Sequence, residues 1–212
     1  MTNFKHSDVS LIKKETGYDG FFKINKYTLS HRMFNGEETR PLIRECFERG
    51  HAVGVLAYDP WQDNIVLLEQ FRIGAYINED EHTVQSPWLL EIIAGIVESG
   101  ESQEDVAHRE AFEEAGCSLL ALESIGNFYS SPGGTSETTQ LYCVCFHSQE
   151  LGGVHGLEEE GEDIRVLVIS FADAVRWLKE GRLNNASAMI SMQWLMLNRD
   201  ELRNKWQQAF VG

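Results

Sequence analysis

Between Gly95 and Cys117 the chain reads GIVESGESQEDVAHREAFEEAGC. On a helix, Glu110, Glu113 and Glu114 stand at i, i+3 and i+4 and project from one side. Carboxylates so placed repel one another and raise one another's pKa. A hard divalent cation, Mg²⁺ or Mn²⁺, removes that cost, because carboxylate oxygen suits it. Arg109 falls outside such a ligand set; its planar fork can instead hold Glu101 or Glu113 in place. A solvated acidic helix face is the plain alternative. Against it stands the spacing, since the seven specified identities Gly95, Glu101, Arg109, Glu110, Glu113, Glu114 and Gly116 at ~6% each give roughly 10⁻⁹ per start position.

The elements that must present this cluster are legible from local signals. Ser102 with Asp105 three residues on predicts a helix N-terminus, and Gly116 its end. Val106, Ala107, Ala111 and Ala115 are small apolar residues suited to close packing on a sheet. Apolar runs at 51–58, 65–71 and 88–93 predict strands, with a polar connection at 74–87 before the third. Further strands are expected at 124–129, 138–147 and 164–170, with loops at 130–134 and 151–163. Ser170 with Asp173 caps a helix ending near Gly181, and Asn185 or Ser187 opens a last helix reaching about Trp206. On that helix Ala188, Ile190, Met192, Trp194, Leu195 and Leu197 are expected in the core or an interface. Residues 1–47 form a β-rich lead-in, with a hairpin of 27–34 and 38–47 about Asn35-Gly36. Pro41 suits an edge strand or a bulge. The fold class is α+β, a mixed sheet sandwiched by helices, with domains 1–47 and 48–212.

The chain has 212 residues and a formal net charge of -15. That field disfavours nucleic acid and anionic membranes, and it admits a phosphorylated ligand only where local cations intervene. No apolar run reaches the roughly 20 residues that cross a bilayer, and the N-terminus lacks a signal-peptide core, so a cytoplasmic location is expected. Cys46, Cys117, Cys143 and Cys145 contain no C-x-x-C pair and are read as small buried apolar groups, with Cys143 and Cys145 on one strand face.

The glutamate-rich block resembles the Nudix box, G-x5-E-x7-R-E-U-x-E-E-x-G-U with U hydrophobic. It matches at Gly95, Glu101, Arg109, Glu110, Glu113, Glu114 and Gly116, with Ala111 and Cys117 at the U positions. The resemblance implies an α/β/α sandwich and metal-dependent hydrolysis of a nucleoside diphosphate linked to another group. Across nearly the whole chain the likeness is to bacterial ADP-ribose pyrophosphatases. Pro132 lies 16 residues beyond Gly116, a mark of that subfamily. SPGGTSE (131–137), GFF (20–22), IRECFERGHA (43–52), EQFRIGAY (69–76) and GEDIRV (161–166) complete the match.

The resemblance also implies roles for single residues. The Ala94 carbonyl, Glu110, Glu114 and Glu162 would ligate Mg²⁺ (Mn²⁺ possible), with Glu113 joining when several ions bind. Glu101 and Arg109 would support them. Glu160 would be the general base; Glu158 and Glu159 adjoin it, and only the count back from GEDIRV selects it. Phe21, Phe22, Arg44 and Glu45 would hold adenine, in part across a homodimer with shared active sites, the N-terminal β-rich segment serving dimerisation. Arg49 and Arg72 would bind substrate, and Ile96, Ser131, Pro132, Gly133 and Glu137 would line its ribose and phosphate side. The connection at 77–87 is longer than is typical of the subfamily. The expected activity is cleavage of ADP-ribose to AMP and ribose 5-phosphate. Its rivals are cleavage of another nucleotide sugar, such as GDP-mannose, and a Nudix-like binding module without turnover.

Overall fold

The computed structural model describes residues 4–78, 86–148, 151–156 and 161–210. The chain divides into two compact units, 1–51 with 129–138, and 52–128 with 139–212.

In the first unit β1 (Val9–Asp19), β2 (Lys23–His31) and β3 (Leu42–Glu48) form an antiparallel sheet in that order. The expected hairpin is present: Met33 N–H donates to the Glu37 carbonyl (2.7 Å) and Gly36 N–H to the Met33 carbonyl (3.0 Å). Its strands are shifted from the expected bounds, and Pro41 stands just before β3, on the edge of the sheet. Strand β1 was not expected as an element. Register shifts at Leu11/Lys13 and Thr16/Tyr18 break its alternation, and it is exposed along its length, so it carries no buried face to read. The segment 129–138 joins this unit through a Phe47 N–H bond to the Gly134 carbonyl (2.8 Å) and a bridge between Phe47 and Thr135.

The second unit is built on β4 (Ala52–Asp59), β5 (Asn64–Phe71), β6 (Trp88–Glu91), β7 (Ile93–Ile96), β8 (Ala121–Tyr129), β9 (Thr138–Cys145), β10 (Gly153–His155) and β11 (Ile164–Ser170). Its main path runs β10-β11-β5-β4-β9-β8, with β6 on β5 and β7 on β4. The β4–β9 pair is parallel and β4–β5 antiparallel, so the sheet is mixed. Alternate residues feed two cores. Val53, Val55 and Ala57 pack with Val106, Ala107, Ala111 and Ala115 of helix α2 (Gln103–Ala115). Leu56, Tyr58, Cys143 and Cys145 pack on the other face with α3 (Phe171–Lys179) and α4 (Ala186–Ala209). This is the expected layered α+β fold.

The structure departs from several expectations. The apolar run at 88–93 is two strands, because the chain changes partner from β5 to β7's neighbour β4 at buried Ile92. The expected loop at 151–163 contains β10, three residues added to the free side of β11. The polar connection at 74–87 begins inside a single turn of helix, α1 (Ile73–Tyr76). On α4 only Ala188, Met192 and Leu195 of the six expected apolar residues are fully buried; Ile190 and Trp194 are partly exposed, and Leu197 is 86% exposed. A helical period cannot place all six on one side. Cys117, Cys143 and Cys145 are buried as expected, whereas Cys46 is half-buried.

Candidate active site

Helix α2 starts as its sequence dictates. Ser102 Oγ accepts from Asp105 N–H (3.1 Å), while Asp105 Oδ2 accepts from Ser102 N–H (3.3 Å) and Oγ–H (2.6 Å). It ends at Gly116, whose φ of 61° is left-handed. The alanines on its inner face bring its backbone close to the sheet, and that closeness determines what happens to the glutamates.

Glu114 is carried into the interior with them and is only 4% exposed. Its Oε2 accepts from Ala94 N–H on β7 at 2.9 Å. Burial pushes its carboxyl up to about 8, and the charges of Glu110 and Glu162 push the same way. Burial likewise raises Glu110, against the pull of Arg109. Gly95 explains how Glu110 fits. A Cβ at that position would lie 1.7 Å from Glu110 Oε1, so only a bare backbone lets the carboxylate lie against β7.

Arg109 is the hub. Its Nε and Nη2 donate to the two oxygens of Glu101 (3.0 and 3.1 Å), and Nη1 to Glu110 (2.6 Å) and Glu113 (3.2 Å). Nη2 also reaches the Ile96 carbonyl at 3.3 Å. The hydrogen bonds it donates to Glu101, then the surrounding negative charge, raise the guanidinium further above its ordinary range. Glu101 in turn is lowered by Arg109. Sequence reasoning offered Glu101 or Glu113 as its partner; the fork takes both, and Glu110 too. Arg72 pairs with Glu91 at 2.7 Å, a partner the sequence did not single out because it lies 19 residues away on β6. Glu162 is half-buried and close enough to act electrostatically on Glu110 and Glu114.

The donor set suits a hard divalent cation in its chemistry. It is all oxygen, and its most buried carboxylate is destabilised as an anion. Among the described residues, no three side chains already converge as a metal site. Arg109 occupies Glu110 and supplies the nearest positive charge.

In the first unit a second group of expected residues is brought together. Phe21 and Phe22 meet edge to face at 4.7 Å, and Phe22 meets Phe47 at 5.0 Å. The Arg49 guanidinium lies 5.6 Å from the Phe22 ring centroid and pairs with buried Glu137 at 3.3 Å. Phe47 was missed; β3 (LIRECFE) has no regular alternation that would single it out. Ser131, Pro132 and Gly133 lie in a turn closed by Gly134 N–H and Thr135 N–H on the Ser131 carbonyl, at 3.0 and 2.9 Å. Phe21 is 89% exposed, which excludes a place in the core. Arg44 and Glu45 are exposed on β3 opposite Tyr27 and Lys26, Arg44 Nη1 donating to the Ile43 carbonyl (2.9 Å). The proposed base, Glu160, and its neighbours Glu158 and Glu159 lie outside the described residues.

The NUDIX domain family profile matches residues 48–191. An ADP-ribose pyrophosphatase of Escherichia coli K12 is 46% identical over 203 residues, 96% of this chain and 95% of that protein. An ADP-ribose pyrophosphatase of Haemophilus influenzae is 41% identical over 98% of this chain and 94% of its own. A GDP-mannose pyrophosphatase of Pectobacterium atrosepticum is 30% identical over 88% and 93%. Among solved structures, one described as an ADP compounds hydrolase superposes with a TM-score of 0.64 at 20% identity, covering 90% of this chain and 96% of that one, which speaks for the fold. With that fold, that profile and the glutamate helix in agreement, the chain belongs to the NUDIX family.

Proposed function

We propose that this enzyme hydrolyses the pyrophosphate of ADP-ribose to AMP and ribose 5-phosphate, using a divalent cation, Mg²⁺ or Mn²⁺. The observation that carries the chemistry is Glu114, a carboxyl buried beside Ala94 in the field of Glu110 and Glu162. Such a group serves no packing purpose and is matched to a cation. The Ala94 carbonyl, Glu110, Glu114 and Glu162 would hold the ion, with Glu113 if more than one binds. When bound, the ion neutralises pyrophosphate charge and acidifies water.

The chain's own residues do the rest. Arg109 holds Glu101, Glu110 and Glu113 at fixed positions, so the donors are preorganised. Glu160 takes the proton from the attacking water. Arg49 and Arg72 offset the anionic substrate against the chain's net charge of -15. Phe21, Phe22, Arg44 and Glu45 bind the adenine end. Ile96, Ser131, Pro132, Gly133 and Glu137 contact the ribose and phosphates. The proposed domain division is 1–47 and 48–212. Exposed Leu11, Ile12, Tyr18 and Ile43 on the N-terminal sheet support a homodimer built there. Among the described residues no helix is long and apolar enough to cross a membrane, and we place the enzyme in the cytoplasm.

Identity to the ADP-ribose pyrophosphatases exceeds that to the GDP-mannose pyrophosphatase, 46% against 30%, which favours the adenine nucleotide. Rates on ADP-ribose, NADH, ADP-glucose and GDP-mannose with Mg²⁺ test the choice. The expected order places ADP-ribose first; preference for GDP-mannose refutes it.

A further inference from the structure

His51 stands where the two segments of the first unit meet, and nothing above gives it a task. Its Nδ1 is 3.3 Å from Thr138 N and 2.8 Å from Thr138 Oγ1. A backbone N–H can only donate, so Nδ1 must be the bare, accepting nitrogen and the ring proton resides on Nε2. The ring is thus a clip of fixed tautomer that accepts from both donors of one threonine. Thr138 follows Glu137 directly. Glu137 is 8% exposed and its carboxylate pairs with Arg49 at 3.3 Å, two residues before His51. Its backbone is held at both ends, N–H to Thr135 Oγ1 (3.2 Å) and C=O from Ser130 N–H (3.3 Å). His51–Thr138 and Arg49–Glu137 are therefore two adjacent ties between the same pair of chain segments. Release of the first leaves the Glu137 carboxylate on a partly exposed arginine, with the segments otherwise joined by the contacts of Phe47 with Gly134 and Thr135.

We propose that His51 is a positioning residue. It fixes Glu137 on Arg49 through Thr138 and thereby sets substrate affinity without touching the reaction. This rests on the substrate role given to Arg49 and Glu137 above. Asparagine carries an acceptor oxygen near the place of Nδ1, whereas glutamine carries its polar head one bond further, near Nε2. The two amides therefore separate a clip at Nδ1 from any contact made through Nε2.

The test is steady-state kinetics on ADP-ribose with saturating Mg²⁺ for the full-length wild type, His51→Ala, His51→Gln, His51→Asn and Glu137→Gln. Nitrogen-15 NMR of the wild-type histidine rings accompanies it, with the His51 signal assigned by its loss in His51→Asn. Loss of the two bonds is expected to raise KM about tenfold in His51→Ala and His51→Gln, with kcat within about twofold. His51→Asn is expected to keep KM within about twofold of wild type, and the NMR to show a protonated Nε2 and a bare Nδ1. A protonated Nδ1, an unchanged KM in His51→Ala alongside a raised one in Glu137→Gln, or equal rescue by glutamine and asparagine overturns the clip. An unchanged KM in Glu137→Gln instead refutes the substrate role beneath it, and the inference falls with that reading. Thermal melts identify any variant that fails to fold; in that case the asparagine–glutamine comparison and the NMR decide.

Discussion

Replacing Glu114 by glutamine is expected to stabilise the cation-free enzyme, increasingly so as pH rises, while abolishing turnover. The folded carboxyl titrates at about 8 against an ordinary 4.5. Its pKa is raised on folding, so between those values the folded state binds more protons than the unfolded chain, and wild-type stability falls as pH climbs from about 4.5 to 8. At about 1.36 kcal/mol per tenfold the loss is about 3 kcal/mol at pH 7 and about 5 kcal/mol above pH 8. These are upper bounds, because water entry and relaxation relieve part of the cost. Glutamine removes the titration yet keeps an oxygen to accept from Ala94 N–H, the 2.9 Å bond of the wild type. Urea unfolding in EDTA at pH 5, 7 and 8.5 measures the difference. Wild type and variant are expected to be close in stability at pH 5 and to diverge by kilocalories at pH 8.5, the variant being the more stable. Parallel pH profiles would instead mean that Glu114 is solvated and not held in a dry site.

Three other outcomes are expected. Gly95→Ala places a Cβ 1.7 Å from Glu110 Oε1, which must swing away from β7; kcat is expected to fall at least tenfold, with the melting temperature changed by a few degrees at most, and wild-type kinetics would show that the close approach is dispensable. Glu160→Gln is expected to lower kcat by about 10²–10⁴ with cation affinity retained; a larger loss in Glu158→Gln or Glu159→Gln would move the base to that residue. Asp63→Asn breaks a bidentate pair with Arg199, one arm of which is Nε to Oδ1 at 2.8 Å, and is expected to cost about 1–3 kcal/mol at pH 7. Burial raises the Asp63 carboxyl, but Arg199 and Tyr58 outweigh it and hold it below its ordinary 3.8. That stability is present above pH 4 and lost as pH falls through the depressed value, so wild type and variant are expected to converge in acid unfolding curves.

The helix that carries the glutamates was legible because its determinants are local. Ser102 and Asp105 cap one end, Gly116 stops the other, and the small residues of the inner face follow a helical period. What the sequence could not reveal was set by partners far along the chain. The run at 88–93 divides because β5 and β4 each take one half. Strand β10 exists only as an addition to β11, and β1 hides its strand character behind register shifts. On α4, apolar type alone left Leu197 to the core or an interface, and its angular position takes it out of the core. The site shows the same division. The carboxylates and Arg109 were readable from spacing, but the grip of Arg109 on Glu110 as well as Glu101 and Glu113 required the fold. So did the contact of Arg49 with both Phe22 and Glu137, residues 27 positions before it and 88 beyond.

On the reading proposed above, the carboxylates of α2 and its neighbours make a cation-dependent hydrolase of ADP-ribose. The most direct test is to incubate the purified enzyme with ADP-ribose and resolve the products, first in EDTA and then with Mg²⁺ added in excess. No turnover in EDTA, and stoichiometric AMP and ribose 5-phosphate after Mg²⁺ is added, is the predicted result. Cleavage that persists in EDTA, or ADP-ribose left intact in the presence of Mg²⁺, would contradict it.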